Sequence, residues 1–174
     1  TKQKIASEVV EYTFDSVSKE SDFQIEDGKL VKYSGDAQKI VIPEGVSSLG
    51  NSTFSGCTSL TSIVLPESLS SIAQDCFSGC AITSIVIPDS VTKIDDRAFS
   101  SMSSVTSIIV GSGVTALGTS TSSSDGPFYN CSKLQEITFT GSAPTVKGYI
   151  LNSVGNRRLI DVPKEEFHQY MELV

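Results

Sequence analysis

The chain has 174 residues, enough for one domain with a buried core and too few for several. Its 13 basic and 20 acidic residues leave a formal net charge of −7, which argues against nucleic acid and anionic membranes as partners. Ser and Thr supply 30 and 14 residues, tryptophan is absent, and a single histidine argues against an imidazole-based catalytic or metal site. No stretch approaches the roughly 20 apolar residues of a membrane helix.

The first predicted elements are a lead segment over residues 1–21 and a hairpin cap over residues 22–39. Apolar residues of the lead fit either a helical or an extended spacing, and we expect a helix or a poorly ordered segment. Asp27 and Gly28 stand between apolar alternations, a pattern typical of a β-hairpin turn. The chain opens at Thr1 without a methionine or an apolar leader, as expected of a mature form or a fragment.

Five similar segments follow, which we number coils 1 to 5. They cover residues 40–62, 63–84, 85–107, 108–136 and 137–146, so that successive coils begin 23, 22, 23 and 29 residues apart. Each coil opens with alternating apolar residues, the pattern of a half-buried strand, and in three coils a proline ends that strand. One aromatic residue recurs at a fixed phase of each full coil: Phe54, Phe77, Phe99 and Phe128. A single coil cannot close a core, so the repeat predicts a solenoid of stacked coils.

A C-terminal cap is predicted over residues 147–174. Residues 159–162 have the composition of a last strand, and Pro163 suits the first position of a helix. Apolar residues spaced as on one helical face then predict a helix near residues 163–173 that seals the last coil. His168 on this helix is expected to be solvated.

The repeat resembles that of the BspA-like leucine-rich repeat family, over about residues 22–146. Coil 3 carries the pattern most completely, with Pro88, Val91 and Ile94 followed by Ala98 and Phe99. The resemblance implies an α/β solenoid, a right-handed stack of about 4.5 coils with one parallel sheet, an N-terminal hairpin cap and a C-terminal helical cap. Family members are mostly bacterial cell-surface or secreted proteins, associated with adhesion and without enzymatic activity.

The register of the repeat places three of the four cysteines in one column. Cys57 and Cys80 lie on adjacent coils, which stack about 4.8 Å apart, so either free buried thiols or a disulfide between them is compatible with the register. Cys131 lies two coils beyond Cys80, too far for a bond, and Met102 occupies the position between them. Free thiols are the preferred interpretation, and the spacing of the cysteines does not indicate a metal or redox site.

Two surfaces are candidates for binding. The first is a strip of residues that face outward on the strands, with an apolar row beside a hydroxyl row. Its members are Val41, Ser62, Val64, Ser84, Val86, Ser107, Ile109 and Thr138. The alternative interpretation of this strip is β-propensity alone. The second candidate is the insertion that enlarges coil 4, which is either a mobile surface loop or a ligand-contacting loop. Its candidate contacts are Gly118, Thr121, Ser123 and Asp125.

The sequence favours a non-enzymatic protein. Serines are too numerous for one to stand out as a nucleophile, no G-x-S-x-G elbow is present, and carboxylates are not spaced as in a calcium loop. No cofactor and no metal are expected. Two hypotheses remain, an adhesin-like module that binds protein or glycan on a host or neighbouring cell, and a rigid spacer without a ligand. An extracellular or cell-surface location and self-association through the strip are the accompanying expectations.

Overall fold

Two positions in each coil carry strands, one at the start of the coil and a second after the following turn. The computed structural model describes residues 19–142, 144–146, 149–151 and 159–161. The strands are β1 (Phe23–Glu26), β2 (Lys29–Tyr33), β3 (Lys39–Val41), β4 (Ser48–Leu49), β5 (Ser62–Val64), β6 (Ser71–Ile72), β7 (Ser84–Ile87), β8 (Lys93–Ile94), β9 (Ser107–Val110), β10 (Ala116–Leu117), β11 (Glu136–Phe139), β12 (Thr145–Val146) and β13 (Leu159–Asp161). A short 3-10 turn at Glu20–Asp22 precedes β1.

The strands form parallel ladders on two sides of the stack. One sheet of seven strands has the order β1-β2-β4-β6-β8-β10-β12. The strands that open the coils form a pair, β3-β5, and a separate sheet of four, β13-β11-β9-β7. Among the described strands only β1 and β2 pair antiparallel, as the hairpin predicted around Asp27 and Gly28, and this hairpin extends the seven-stranded sheet at its N-terminal end. The last predicted strand is present as β13, which pairs with β11.

Two features of the predicted fold class are corrected. In the described part of the chain the expected single parallel sheet is three sheets. The second apolar column of each coil also forms strands, of two residues each, and β5 does not pair with β7. The described residues contain no α-helix, so this part of the chain is a β-solenoid of about four turns rather than an α/β solenoid. The predicted helix near residues 163–173 and most of the lead segment 1–21 lie outside the described residues.

Hydroxyl side chains connect successive coils and account for part of the Ser and Thr content. Ser70 Oγ donates to the carbonyl of Ser47 at 2.7 Å, and Thr92 Oγ1 donates to the carbonyl of Ser70 at 3.2 Å. Thr115 Oγ1 repeats the contact on the carbonyl of Thr92 at 3.3 Å. The three donors lie at equivalent positions of coils 2 to 4, where each hydroxyl adds a second hydrogen bond to a carbonyl that already accepts the backbone N–H of the same residue.

The centre of the stack is a column of aromatic rings. The rings of Phe54 and Phe77 stack with centroids 5.2 Å apart, and Phe99 follows at 5.3 Å from Phe77. Phe128 continues the column at 5.7 Å from Phe99, and all four side chains are fully buried. Two rings from the hairpin extend the column at its N-terminal end, Tyr33 at 5.3 Å from Phe54 and Phe23 at 5.4 Å from Tyr33. The repeat period therefore produces the predicted core, with one ring for each coil.

The four cysteines are free thiols, in agreement with the preferred interpretation, and Cys57 and Cys80 form no disulfide. Cys80 Sγ donates to the carbonyl of Phe54 at 3.0 Å, and Cys131 Sγ donates to that of Phe99 at the same distance. Burial raises the pKa of the Cys80 thiol to about 12 and that of Cys131 to about 11. The thiols therefore act as small core groups that satisfy buried carbonyls, and they stay protonated at neutral pH.

Candidate partner-binding surface

The predicted apolar row is exposed on the strands that open the coils. Alternation within each strand buries one side chain and turns the next outward, so that Ile40 and Ile42 are buried while Val41 between them is 58% exposed. The equivalent residues of coils 2, 3 and 4 are also exposed: Val64 at 55%, Val86 at 60% and Ile109 at 39%. Four β-branched side chains at equivalent positions of successive coils form one apolar strip.

Strand register places these residues beside one another. Val41 is paired with Val64 across β3 and β5, and Val86 is paired with Ile109 across β7 and β9. Thr138 continues the row on β11 and is half-buried, with its hydroxyl 3.5 Å from Oε1 of Glu136. The structure thus brings the predicted apolar residues into one row, which ends in a hydroxyl at coil 5.

A hydroxyl row runs beside the apolar row, two residues earlier in each strand. Ser84 and Ser107 are paired across β7 and β9, and Ser62 is paired with Lys39 across β3 and β5. Ser62 and Ser84 are exposed, whereas Ser107 is half-buried. This row offers hydroxyl donors and acceptors along one side of the strip, as the alternation predicted.

An acidic row lies in the turns that follow the strands, and our interpretation of the sequence did not include it. Glu44, Glu67 and Asp89 are exposed and each follows the proline that ends a strand. Asp89 Oδ1 accepts a hydrogen bond from the backbone N–H of Ser112 at 2.6 Å. The signal was present in the sequence as the repeated order apolar residue, proline, acid, but it was used only to locate the ends of strands.

A cleft interrupts the strip between coils 2 and 3. It has a volume of about 380 Å³. Its lining residues come from β5, β7 and the turns after them: Ser62, Ile63, Val64, Leu65, Glu67, Ser84, Ile85, Val86 and Pro88. The cleft coincides with the place where β5 and β7 do not pair. The volume lies at the small end of ligand sites, which range from about 300 to 1,000 Å³, so the cleft accommodates one or two side chains.

The insertion of coil 4 is fastened to coil 3. Asp96 accepts hydrogen bonds from the backbone N–H groups of Thr119 at 2.6 Å and Ser120 at 3.0 Å, and from the Thr119 hydroxyl at 2.6 Å. Partial burial opposes ionisation of Asp96, but these hydrogen bonds outweigh it and lower the pKa of this carboxyl. These contacts connect the start of the insertion to coil 3.

An ion-pair network fastens the far end of the insertion. Arg97 pairs with Asp75 at 2.9 Å and with Asp125 at 3.2 Å, so it links coils 2, 3 and 4. The hydrogen bonds from Arg97 lower the pKa of Asp75. Asp125 also accepts a hydrogen bond from Ser120 Oγ at 2.8 Å. Of the candidate contacts in this loop, Asp125 is thus occupied by internal partners, while Thr121 is exposed.

Neither a metal site nor a membrane span is apparent in the part of the chain that the structure describes. Among residues 19–142 and the shorter described stretches, no group of three or more His, Cys, Asp and Glu side chains is placed to hold a metal ion. In the same residues no helix is long and apolar enough to cross a bilayer.

Comparisons with known proteins agree with the repeat. The family model for the BspA type leucine-rich repeat region matches residues 24–154 and 119–170, in six copies. The solved structure of the pneumococcal vaccine antigen PcpA is similar, with a TM-score of 0.62 and 19% identity over 83% of this chain and 36% of that chain. The T. pallidum leucine-rich repeat protein is similar with a TM-score of 0.54 and 19% identity, over 91% of this chain and 96% of that one. No curated protein matches the chain. At these identities the two structures support the fold.

Proposed function

The chain belongs to the BspA-type leucine-rich repeat proteins, and we propose that it is a protein-binding module whose contact surface is the apolar strip. The observation that carries the proposal is the exposure of Val41, Val64 and Val86, each more than half accessible on neighbouring strands. Side chains of this kind gain free energy when a partner removes them from water, at about 25 cal/mol per Å² of apolar surface. Exposed apolar residues on neighbouring strands of a soluble protein mark an interaction site more often than scattered apolar residues do.

The surroundings of the strip support a protein partner. Hydroxyls on one side and carboxylates on the other provide the polar rim that protein interfaces have around an apolar centre. The rest of the chain contributes rigidity, because the aromatic column and the hydroxyl ladders hold the strands in register before a partner arrives. A surface that is already ordered loses little conformational entropy on binding.

The accompanying proposals concern setting and chemistry. We place the protein at the outer surface of a bacterial cell or outside it, where such a strip would contribute to adhesion to a host or neighbouring cell. We propose no catalytic role, because the strip and its border contain no nucleophile paired with a base. The chain spans 36% of the length of the PcpA structure that it matches, so these proposals concern the module and leave the activities of a longer protein open.

A double substitution tests the function. Val64→Glu with Val86→Glu adds two charges to the middle of the strip, where both side chains are exposed, so folding should be little affected. We expect binding to extracellular-matrix proteins or cells, screened by surface plasmon resonance and cell-attachment assays, to be lost. The matched control, Ser103→Glu with Ser132→Glu, adds the same charge at exposed turn positions away from the strip and should bind as the wild type does.

The outcomes distinguish the hypotheses. Loss of binding in the strip variant alone supports the proposal. A partner that binds the strip variant, the control variant and the wild type equally would contradict the proposal, because binding would then involve another surface. A wild type that binds no protein and no glycan on an array, and whose strip variant sediments identically, would favour a spacer without a ligand. Self-association through the strip would appear as a dimer of the wild type that the strip variant dissociates.

A further inference from the structure

Coil 2 is one residue shorter than its neighbours, and this shortening coincides with the opening in the sheet. Four residues lie between Cys80 and Ile85, whereas five lie between Cys57 and Ile63 and between Met102 and Ile108. The missing residue lies in the turn before β7, because Ile82 follows Cys80 after a single residue. The shorter turn therefore shifts β7, which pairs with β9 and not with β5.

The break is local and leaves the stack intact. Just before the two strands, the backbone N–H of Thr83 donates to the carbonyl of Thr61 at 3.3 Å. The rings of Phe54 and Phe77 stack behind the break without a change in spacing. Coils 1 to 3 thus stay packed in the core while the outer sheet opens, so the cleft is built into a rigid support.

The lining of the cleft combines apolar side chains with one carboxylate. Val64 and Val86 stand on its two sides, and Pro88 contributes a further apolar group that has no backbone donor. Glu67 lines the cleft in the turn after β5 and is exposed. Within the described part of the chain, the Glu67 carboxylate has no hydrogen bond and no ion pair. It differs in this from Asp89, which accepts a hydrogen bond from Ser112.

A mostly apolar cleft with an unpaired carboxylate in its lining matches a lysine or arginine side chain. Both side chains pack their methylene stems on apolar surface and keep the cationic head at a polar end. The acidic row extends the match, since Glu44 and Asp89 lie in the turns on either side of Glu67. The net charge of −7 gives the whole molecule a field that steers basic partners toward it.

Resting on the proposed function, we infer that the partner is a basic polypeptide. Its apolar residues cover the valines of the strip, and one lysine or arginine side chain enters the cleft between β5 and β7 to meet Glu67. The other cations of the partner face Glu44 and Asp89 at the border. Binding should therefore weaken as salt rises, because exposed charge pairs are screened beyond about 8 Å at 0.15 M ionic strength.

Three synthetic peptides of equal length test this inference on the full chain, with affinity measured by fluorescence anisotropy. One peptide alternates Val with Lys, one alternates Val with Glu, and one alternates Val with Ser. We expect the Val-Lys peptide to bind most tightly, with an affinity that falls between 50 and 300 mM NaCl. Equal or tighter binding of the Val-Glu or Val-Ser peptide would overturn the basic partner.

Two substitutions locate the contact. Glu67→Gln should lower the affinity for the Val-Lys peptide about fivefold. Glu20→Gln makes the same change of charge at an exposed site at the start of the described chain and should leave this affinity unchanged. Ser84→Phe fills the cleft without a change of charge and should also lower the affinity for the Val-Lys peptide. Equal effects of Glu67→Gln and Glu20→Gln would refute the role of Glu67, and unchanged binding by Ser84→Phe would refute the cleft.

Failure of this inference is distinguishable from failure of the proposed function. A protein partner without basic character that is lost in Val64→Glu with Val86→Glu would leave the strip as the binding surface and overturn the basic partner. Val-Lys binding that persists in Val41→Ser with Ile109→Ser, two strip residues that do not line the cleft, yet is lost in Glu67→Gln, would support the cleft and contradict the apolar strip.

Discussion

Replacement of Phe77 by leucine tests whether ring stacking along the core column contributes to stability. Phe77 lies in the middle of the column, with ring centroids 5.2 Å from Phe54 and 5.3 Å from Phe99. Phe128 is at the end of the described column and stacks on Phe99 alone, at 5.7 Å. Leucine keeps an apolar side chain at each site and removes the same volume from two fully buried positions, so the lost burial should cost both variants a similar amount.

The two substitutions should therefore differ by the number of ring pairs that they remove. A stacked pair contributes about 0.5–1.5 kcal/mol beyond its burial. Phe77→Leu removes two pairs, or about 1–3 kcal/mol, and Phe128→Leu removes one, or about 0.5–1.5 kcal/mol. Added to the cost of the swap, the loss at Phe77 is a sizeable part of a total free energy of unfolding of about 5–15 kcal/mol.

Urea unfolding followed by far-UV circular dichroism measures this difference. The midpoint of Phe77→Leu should fall further than that of Phe128→Leu, with slopes that stay equal if the folded and unfolded surfaces are unchanged. A cost at Phe128 equal to or greater than the cost at Phe77 would refute the reasoning, because it would show that burial and not the number of ring neighbours sets the stability of each coil.

Three further predictions concern single sites. Ser101 has a φ of +56° and lies at the position that Gly56 and Gly79 occupy in coils 1 and 2. Ser101→Gly should therefore raise the free energy of unfolding by about 0.5–1 kcal/mol. Ser103→Gly relieves no positive φ and should not raise it. Asp96→Asn should destabilise the protein by about 1 kcal/mol at neutral pH. Because the folded pKa of Asp96 is lowered, its contribution is present above its unfolded pKa of about 3.9 and is lost as pH falls through the folded value, so the two urea midpoints should converge in acid. In a thiol titration of native protein, Cys57, which is half-buried, should react before the three buried cysteines, and four fast thiols would contradict the structure.

The core was predictable because the repeat places chemically similar residues at the same phase of every coil. The buried rings of Phe54, Phe77 and Phe99 follow from that phase, as does the exposure of Val64 and Val86 between buried neighbours. Turn chemistry was equally local, since two adjacent residues, Asp-Gly, were enough to predict the hairpin. Regular stacking turns short-range patterns into long-range structure, and for this reason one coil predicts the others.

The sheet of two-residue strands and the contacts of the coil 4 insertion were harder to predict from the sequence. A strand of two residues such as Ser71–Ile72 has too short an alternation to identify, and it exists because neighbouring coils supply its ladder partners. The insertion of coil 4 has the Ser-rich composition of a loose loop, yet Asp96, 23 residues before Thr119, holds it on coil 3. Contacts between coils depend on which residues of neighbouring coils lie side by side, and the composition of a segment does not predict these contacts.

The sequence by itself determined the repeat, the acidic charge, the hairpin and the inward or outward direction of the strand residues, because each of these depends on local spacing or on residue counts. Only the tertiary structure decided how the strip is interrupted. One missing residue before Ile82 is a small irregularity in the sequence, but in the stack it accompanies two strands that do not pair and a cleft whose lining includes Glu67. The reason is that hydrogen bonding between coils tolerates little displacement, so a shift in one turn alters the pairing of whole strands.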